Sequence, residues 1–353
     1  MNSTNSVTKG RDVLLDIIKG FTIILVVFGH AIEYGEGAEA NASGIRYDEV
    51  IYKLIYSVHM PLFMLISGYL FYFTVQKRSF KAVFISRFTR FIIPIFAWNG
   101  LFLLIRIAIH VATSQPVNFI YEIYNQFDIS LYSIWFLWAI FWCSLIVSVI
   151  HYFFRDNIYL YTLCYIITFL IPDAYNCSLY SYMYPFFVTA YLFNKNKATI
   201  LRYIQKYTYK KLFYTTTITY IVLIFFFDRD SFIYTSGYTI LGKERALMQA
   251  GIDLYRMIIG FVGCTSIILA TRALMNKGLL QTVTPLLSKL GYNSLGIYII
   301  SLYIDVSLLR LPLYTSNYIL LTIESVIVLC ISYFLTLFLQ HFKTTNKLFL
   351  GGK

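Results

Sequence analysis

This sequence is poor in charge: Asp, Glu, Lys and Arg supply 13% of its 353 residues, about half the roughly 25% of a soluble domain. So few charges cannot cover a water-facing surface, which excludes an ordinary soluble fold. Acidic residues are the scarcer sign, 17 against 29 basic ones. Cysteine is sparse as well. Cys143, Cys164, Cys264 and Cys330 fall within apolar runs and Cys177 stands alone in a short connection, with no metal-type spacing among them. Neither disulfides nor a metal site is expected. Low-complexity tracts, internal repeats and interdomain linkers are also missing, so a single polytopic domain is expected over residues 1–353.

What the chain has instead is apolar length, with 58% hydrophobic residues and a mean hydropathy of +0.66. Apolar runs of about 17–25 residues match the thickness of a bilayer. They fall near 12–33, 51–74, 91–111, 132–154, 157–171, 180–193, 212–227, 252–270, 293–309 and 317–340. The expected fold is an all-α integral membrane protein, a bundle of about ten transmembrane helices. The first run is too long for a secretory signal, is interrupted by Asp16 and Lys19, and lacks a small-residue cleavage site.

Basic residues give the orientation, because cytoplasmic connections hold an excess of Lys and Arg. Lys9 and Arg11 precede the first run; Lys77, Arg78, Lys81, Arg87 and Arg90 follow the second; Lys195, Lys197, Arg202, Lys206, Lys210 and Lys211 follow the sixth. Arg272, Lys277 and Lys289 follow the eighth, and Lys343, Lys347 and Lys353 close the chain. All lie on one side if both termini are cytoplasmic, and both are predicted there. Two of the opposite connections are acidic: 33–50 holds Glu33, Glu36, Glu39, Asp48 and Glu49, and 112–131 has Glu122 and Asp128 without Lys or Arg; the exception is 228–251, with Arg229, Lys243 and Arg245. The net charge of +12 is thereby explained by topology and by attraction to anionic inner-leaflet lipid, and no nucleic-acid role is expected.

Ionisable side chains within such runs are costly and mark function by default. The first run carries Lys19 and His30, eleven positions apart. That is close to three helical turns, placing both on one face about 16 Å apart along the axis. Counting depth from each boundary sorts the remaining polar residues into two groups. His30, His59, Arg106, Arg256, Asp305 and Glu324 belong to the outer half, where they are expected to line one polar cavity. Asp16, Lys19, Arg87 and Arg90 form a mostly positive inner group. Arg87 and Arg90 share a helix face and can grip the phosphates of an anionic donor through forked hydrogen bonds.

These residues resemble membrane-bound acyltransferase family 3, and within it the fucose 4-O-acetylase-like sugar acetyltransferase branch. "LLDIIKGFTIILVVFGH" at 14–30 is similar to the family pattern of a basic residue, ten intervening residues and a His, met by Lys19 and His30. "YSVHMPLFMLISGYLF" at 56–71 resembles the second span through His59, Pro61, Ser67 and Gly68. "RFTRFIIPIF" at 87–96 matches an Arg-x-x-Arg element through Arg87 and Arg90, and "IWFLWAIFW" at 134–142 and "LGYNSLGIYIISLYID" at 290–305 resemble later segments. One departure is Ser301, where related proteins often carry His.

The resemblance implies transfer of an acyl group, usually acetyl from cytoplasmic acetyl-CoA, to a hydroxyl of an extracytoplasmic or lipid-linked glycan in a bacterial cytoplasmic (inner) membrane. Many relatives add a C-terminal soluble esterase-like domain, which is not expected here. On this reading Lys19, Arg87 and Arg90 bind the acyl-CoA donor, Asp16 gives structural support and no metal takes part. His30 is the general base; a covalent acyl-histidine is the alternative route. His59 binds the acceptor or shares proton transfer, and Glu33, three residues from His30, orients its ring or is simply a wet residue of an acidic connection. Arg106, Arg256, Asp305 and Glu324 line the acceptor cavity or pair with one another. Partners are the saccharide acceptor and membrane lipid; no protein partner is indicated. Polar groups at two depths also suit a transporter or flippase of a glycan or lipid-linked intermediate, and a small-molecule acceptor suits the enzyme equally well.

Overall fold

A computed structural model describes residues 12–35, 44–204, 208–308 and 317–352. Lys9, Arg11, Glu36, Glu39, Lys206 and Lys353, used above for orientation, lie outside the described residues. Every regular element among the described residues is helical, as hydrocarbon requires of a chain that must satisfy its own backbone hydrogen bonds. Each predicted span falls on a helix. These are α1 Val13–Gly35, α2 His59–Val75, α3 Ile93–Ala112, α4 Trp135–Phe154, α5 Ile158–Thr168, α6 Cys177–Lys195, α7 Tyr209–Phe225, α8 Ala246–Asn276, α9 Thr284–Leu308 and α10 Tyr318–His341.

Six stretches among the described residues are long and apolar enough to cross a membrane: Val13–Tyr34, Val50–Val75, Phe80–Ala112, Trp135–Phe154, Ala246–Asn276 and Tyr318–His341. The molecule is an integral membrane helical bundle. The other four spans read from the sequence lie on helices that are shorter, such as α5 with 11 residues, or more polar, such as α9 with Ser288, Lys289, Asn293 and Ser294.

The packing inverts the soluble pattern. On α10 the large apolar Ile319, Ile323, Val326, Ile327, Phe334 and Phe338 point outward. Leu321, Ser325, Val328, Ser332 and Thr336 point inward. Ser325 and Thr336 give their hydroxyl protons to the carbonyls of Leu321 and Ser332 at 2.6 and 2.7 Å. Small residues let neighbouring helices approach, since apolar burial supplies no driving force between helices in lipid.

The closest approach joins elements from opposite ends of the chain. A Cβ placed on Gly20 of α1 would fall 2.0 Å from the Leu287 carbonyl oxygen, and one on Gly291 of α9 would fall 2.0 Å from the Asp16 carbonyl oxygen. Backbone therefore touches backbone, and α1 and α9 run in parallel from this contact to the pairing of His30 with Asp305 described below. Gly68 brings α2 against α6 in the same way, 2.1 Å from the Phe187 carbonyl oxygen for a Cβ. Gly20→Ala or Gly291→Ala should cost at least about 1–3 kcal/mol through forced separation of the helices. A lowered unfolding midpoint in detergent checks this, with Gly251→Ala as control, because a Cβ there meets nothing within 4 Å.

Ahead of α3, the helix Phe80–Arg87 passes through one π-turn, Phe88–Ile92, that contains Arg90. Pro94 stands at the start of α3 and has no N–H to give to the carbonyl four residues back, that of Arg90. The ladder widens where that bond is missing. π-turns inside α-helices occur frequently at functional sites.

Candidate active site

Lys19 from α1, Arg87 from Phe80–Arg87 and Arg90 from the π-turn line one cavity of about 220 Å³. Its remaining wall comes chiefly from one face of α2, with Phe63, Ile66, Ser67, Leu70 and Thr74, and one face of α9, with Gly291, Tyr292, Ser294, Leu295 and Tyr298. Tyr292 in this wall is 44% exposed. Lys19 pairs with Asp16 at 2.8 Å. Arg87 donates to Thr74 Oγ1 at 3.2 Å and lies 4.6 Å from the centroid of the Phe71 ring. Its buried Nε has no hydrogen-bond partner among the described residues, and neither Arg87 nor Arg90 has an ion-pair partner there. Three cations around one recess, two of them without counter-ions among the described residues, are chemically suited to an anion with several oxygens.

Further along α1 and α9, His30 Nδ1 stands 3.7 Å from Asp305 Oδ2. Asp305 is fully buried, and neither of its carboxylate oxygens has a hydrogen bond among the described residues. His59 is buried beside them, within electrostatic reach of His30. Its Nδ1 lies 2.8 Å from the Ile55 carbonyl. A carbonyl only accepts, so Nδ1 carries the proton and the Nε2 lone pair of neutral His59 is left for another partner. Glu33 accepts a hydrogen bond from the Tyr56 hydroxyl, and its backbone carbonyl accepts one from Arg46 at 3.2 Å. Glu33 and Glu324 both stand within electrostatic reach of Asp305.

Two members of the expected outer group are held elsewhere. Arg106 Nε is 2.8 Å from Glu122 Oε2 and its Nη2 donates to Gln126 at 2.7 Å, tying α3 to the helix Phe119–Tyr132. Arg256 is 1% exposed, lies 3.1 Å from Asp253, donates to the carbonyls of Gly237 and Asp230 at 2.7 and 3.1 Å, and bonds to Ser236. It fastens the connection before α8 to the bundle. Six groups at one depth thus divide into a cluster of His30, His59, Asp305 and Glu324 and two separate arginine networks. Asp253→Ala should destabilise the protein by about 3–5 kcal/mol by leaving a buried guanidinium without its charge partner; the unfolding midpoint reports it, and the cavity at Lys19 should be unaffected.

The acyltransferase domain model of family 3 matches residues 12–341. The chain belongs to acyltransferase family 3. Within the family it is similar to Nodulation protein NolL of Mesorhizobium japonicum, 29% identical over 189 residues, which are 53% of this chain and 48% of the relative. Nodulation protein NolL of Sinorhizobium fredii is 30% identical over 196 residues, 54% of this chain and 51% of the relative. The chain thus spans about half the length of these curated relatives. No solved structure matches it.

The matching family model is described as an acyltransferase domain, and the cavity adds residues to those named from the sequence. Thr74, Tyr292, Ser294 and Tyr298 join Lys19, Arg87 and Arg90 in its wall. Asp305 is the ion-pair partner that the described residues offer His30. Asp305 was named from its depth in the sequence; the signal for Ser294 and Tyr298 is their recurrence with Asp305 at intervals of four and seven residues along one face of the segment 290–305.

Proposed function

We propose that this acyltransferase takes an acetyl group from cytoplasmic acetyl-CoA and delivers it to a hydroxyl of an extracytoplasmic or lipid-linked glycan in a bacterial cytoplasmic membrane. One observation carries the reading: α1 and α9, packed backbone to backbone, each contribute to a cationic cavity at one level and to a His–Asp pair at another. The phosphates of the donor sit against Lys19, Arg87 and Arg90, and its thin pantetheine arm points along the α1–α9 seam toward His30.

Neutral His30 removes the proton of the acceptor hydroxyl as that oxygen attacks the thioester carbonyl. Collapse of the tetrahedral intermediate expels the coenzyme A thiolate, which takes the proton from the His30 imidazolium, and the ester remains on the acceptor. The buried carboxylate of Asp305 favours the imidazolium that forms, in the way a buried Asp supports the base of a hydrolase triad. His59, with Nδ1 committed to Ile55, offers Nε2 as acceptor for a second hydroxyl of the substrate.

The test is purified protein with radiolabelled acetyl-CoA and a membrane glycolipid extract, comparing the parent with His30→Ala. Label reaching the lipid or glycan fraction only with His30 supports the reading. Label appearing equally with a folded His30→Ala protein removes His30 from the chemistry, and no transfer by the parent to any extract removes the glycan acceptor.

A further inference from the structure

The cavity ends before it reaches the histidines. The lining face of α2 descends from Phe63 through Ile66, Ser67 and Leu70 to Thr74. The next position up the same face, four residues earlier, is His59. On α9 the lining face rises through Gly291, Ser294 and Leu295 to Tyr298, and Asp305 follows two turns later. On α1 the cavity holds Lys19, with His30 three turns beyond. Three helices therefore each carry a cavity residue below one level and a member of the His–Asp cluster above it.

At that level stand three aromatic rings. Phe63 and Phe136 have ring centroids 6.1 Å apart, and Phe136 and Tyr298 have centroids 5.9 Å apart. Phe63 is 9%, Phe136 6% and Tyr298 5% exposed. Phe136 is held there at the expense of backbone strain, since Ile134, two residues before it, is buried with φ 49° and ψ 44°. A β-branched residue in the left-handed region is a genuine outlier, and such residues persist where the surroundings over-determine them, often at functional sites.

Resting on the direction of transfer proposed above, we propose that Phe63, Phe136 and Tyr298 form an aromatic collar between the donor cavity and the His30–His59 site, and that this collar sets the largest acyl group able to pass. An acetyl thioester is narrow and passes when one ring turns aside. A longer acyl chain, bent against the cavity wall while the phosphates are held by the cations, meets the rings first. The collar also keeps cytoplasmic water out of the His30–His59 site while no donor is threaded through it, a known benefit of a closed site.

Two measurements test this. In the first, kcat/KM is compared for acetyl-, butyryl- and hexanoyl-CoA in the parent, Phe63→Ala, Phe136→Ala and Tyr298→Ala. The parent should favour acetyl, and truncation of a ring should raise the hexanoyl-to-acetyl ratio by about 10-fold or more, the range of methylene discrimination by a pocket. An unchanged ratio in variants that still turn over acetyl-CoA overturns the collar. The second needs no turnover. In a cysteine-free background, Ser67→Cys lies below the collar and His59→Cys above it. A thiol reagent admitted from the cytoplasmic side should label Ser67→Cys quickly and His59→Cys slowly, and adding Phe63→Ala should speed the latter. Equal labelling of the two in the intact collar overturns the proposal, even if the parent transfers acetyl normally. Conversely, a collar that protects His59→Cys in a parent unable to transfer acetyl would leave the barrier standing and refute the donor reading instead.

Discussion

The His30→Ala protein is expected to transfer acyl groups about 10²–10⁴-fold more slowly than the parent, the usual worth of a positioned general base, while binding the donor equally well. The split follows from geometry. His30 is no part of the cavity wall that holds Lys19, Arg87 and Arg90, so its removal leaves the cationic recess intact. The loss belongs to kcat and to kcat/KM together, the signature of an interaction made only in the transition state. Asp305→Asn keeps the shape of the buried side chain but removes the charge 3.7 Å from Nδ1, and should lower kcat in the same direction by less. A double replacement should be far less than additive, because the two groups act as a unit. Turnover under donor saturation and donor affinity by equilibrium binding, each on protein that elutes as a single species in detergent, separate these effects. Full activity in His30→Ala would leave the His–Asp pair without a catalytic role.

Much of this arrangement was legible in the sequence, and the divisions are instructive. Apolar runs locate helices because a bilayer demands length and internal hydrogen bonding, and all ten runs fall on helices. The Lys19–His30 spacing fixes two groups on one face of one helix, which is local information. Depth counting is weaker. It gives height along the membrane normal and says nothing of azimuth, so Arg106 and Arg256 share a level with His30 yet face Glu122 and Asp253 on other flanks of the bundle.

The same blindness affects neighbours. Three residues from His30 on its own helix, Glu33 was the visible candidate to orient the ring, but Tyr56 donates to its carboxylate. The carboxylate beside Nδ1 comes from Asp305 on α9, at the other end of the chain. Only the close approach at Gly20 and Gly291 puts α9 there, and no periodicity within either helix announces which helix will be its neighbour. Lys19 pairs with Asp16 three residues back on the same helix, a local contact, where the sequence reading gave Asp16 a supporting role without naming its partner.

Alanine at Arg87 or at Arg90 is expected to weaken donor binding by about 10- to 100-fold, the equivalent of roughly 1.5–3 kcal/mol for hydrogen bonds to a charged partner, with little change in acceptor binding. Arg87→Lys should recover only a small part. A lysine keeps the positive charge but loses the planar fork and the face that lies 4.6 Å from the Phe71 ring. Because the attraction is partly coulombic, raising salt should weaken donor binding in the parent more than in the Arg87→Ala protein, less steeply than for a fully exposed pair. Lys19 behaves differently, since its ammonium already holds Asp16 at 2.8 Å. Lys19→Ala removes a cation and also leaves a buried carboxylate bordering an anion site, so it should cost more than its own contact, and adding Asp16→Asn should restore part of the loss. That rescue distinguishes a cavity built for an anion from a set of arginines placed at a helix start merely to fix topology. If coenzyme A affinity is the same in Arg87→Ala, Arg90→Ala and the parent, the topological explanation is the correct one and the donor must bind elsewhere.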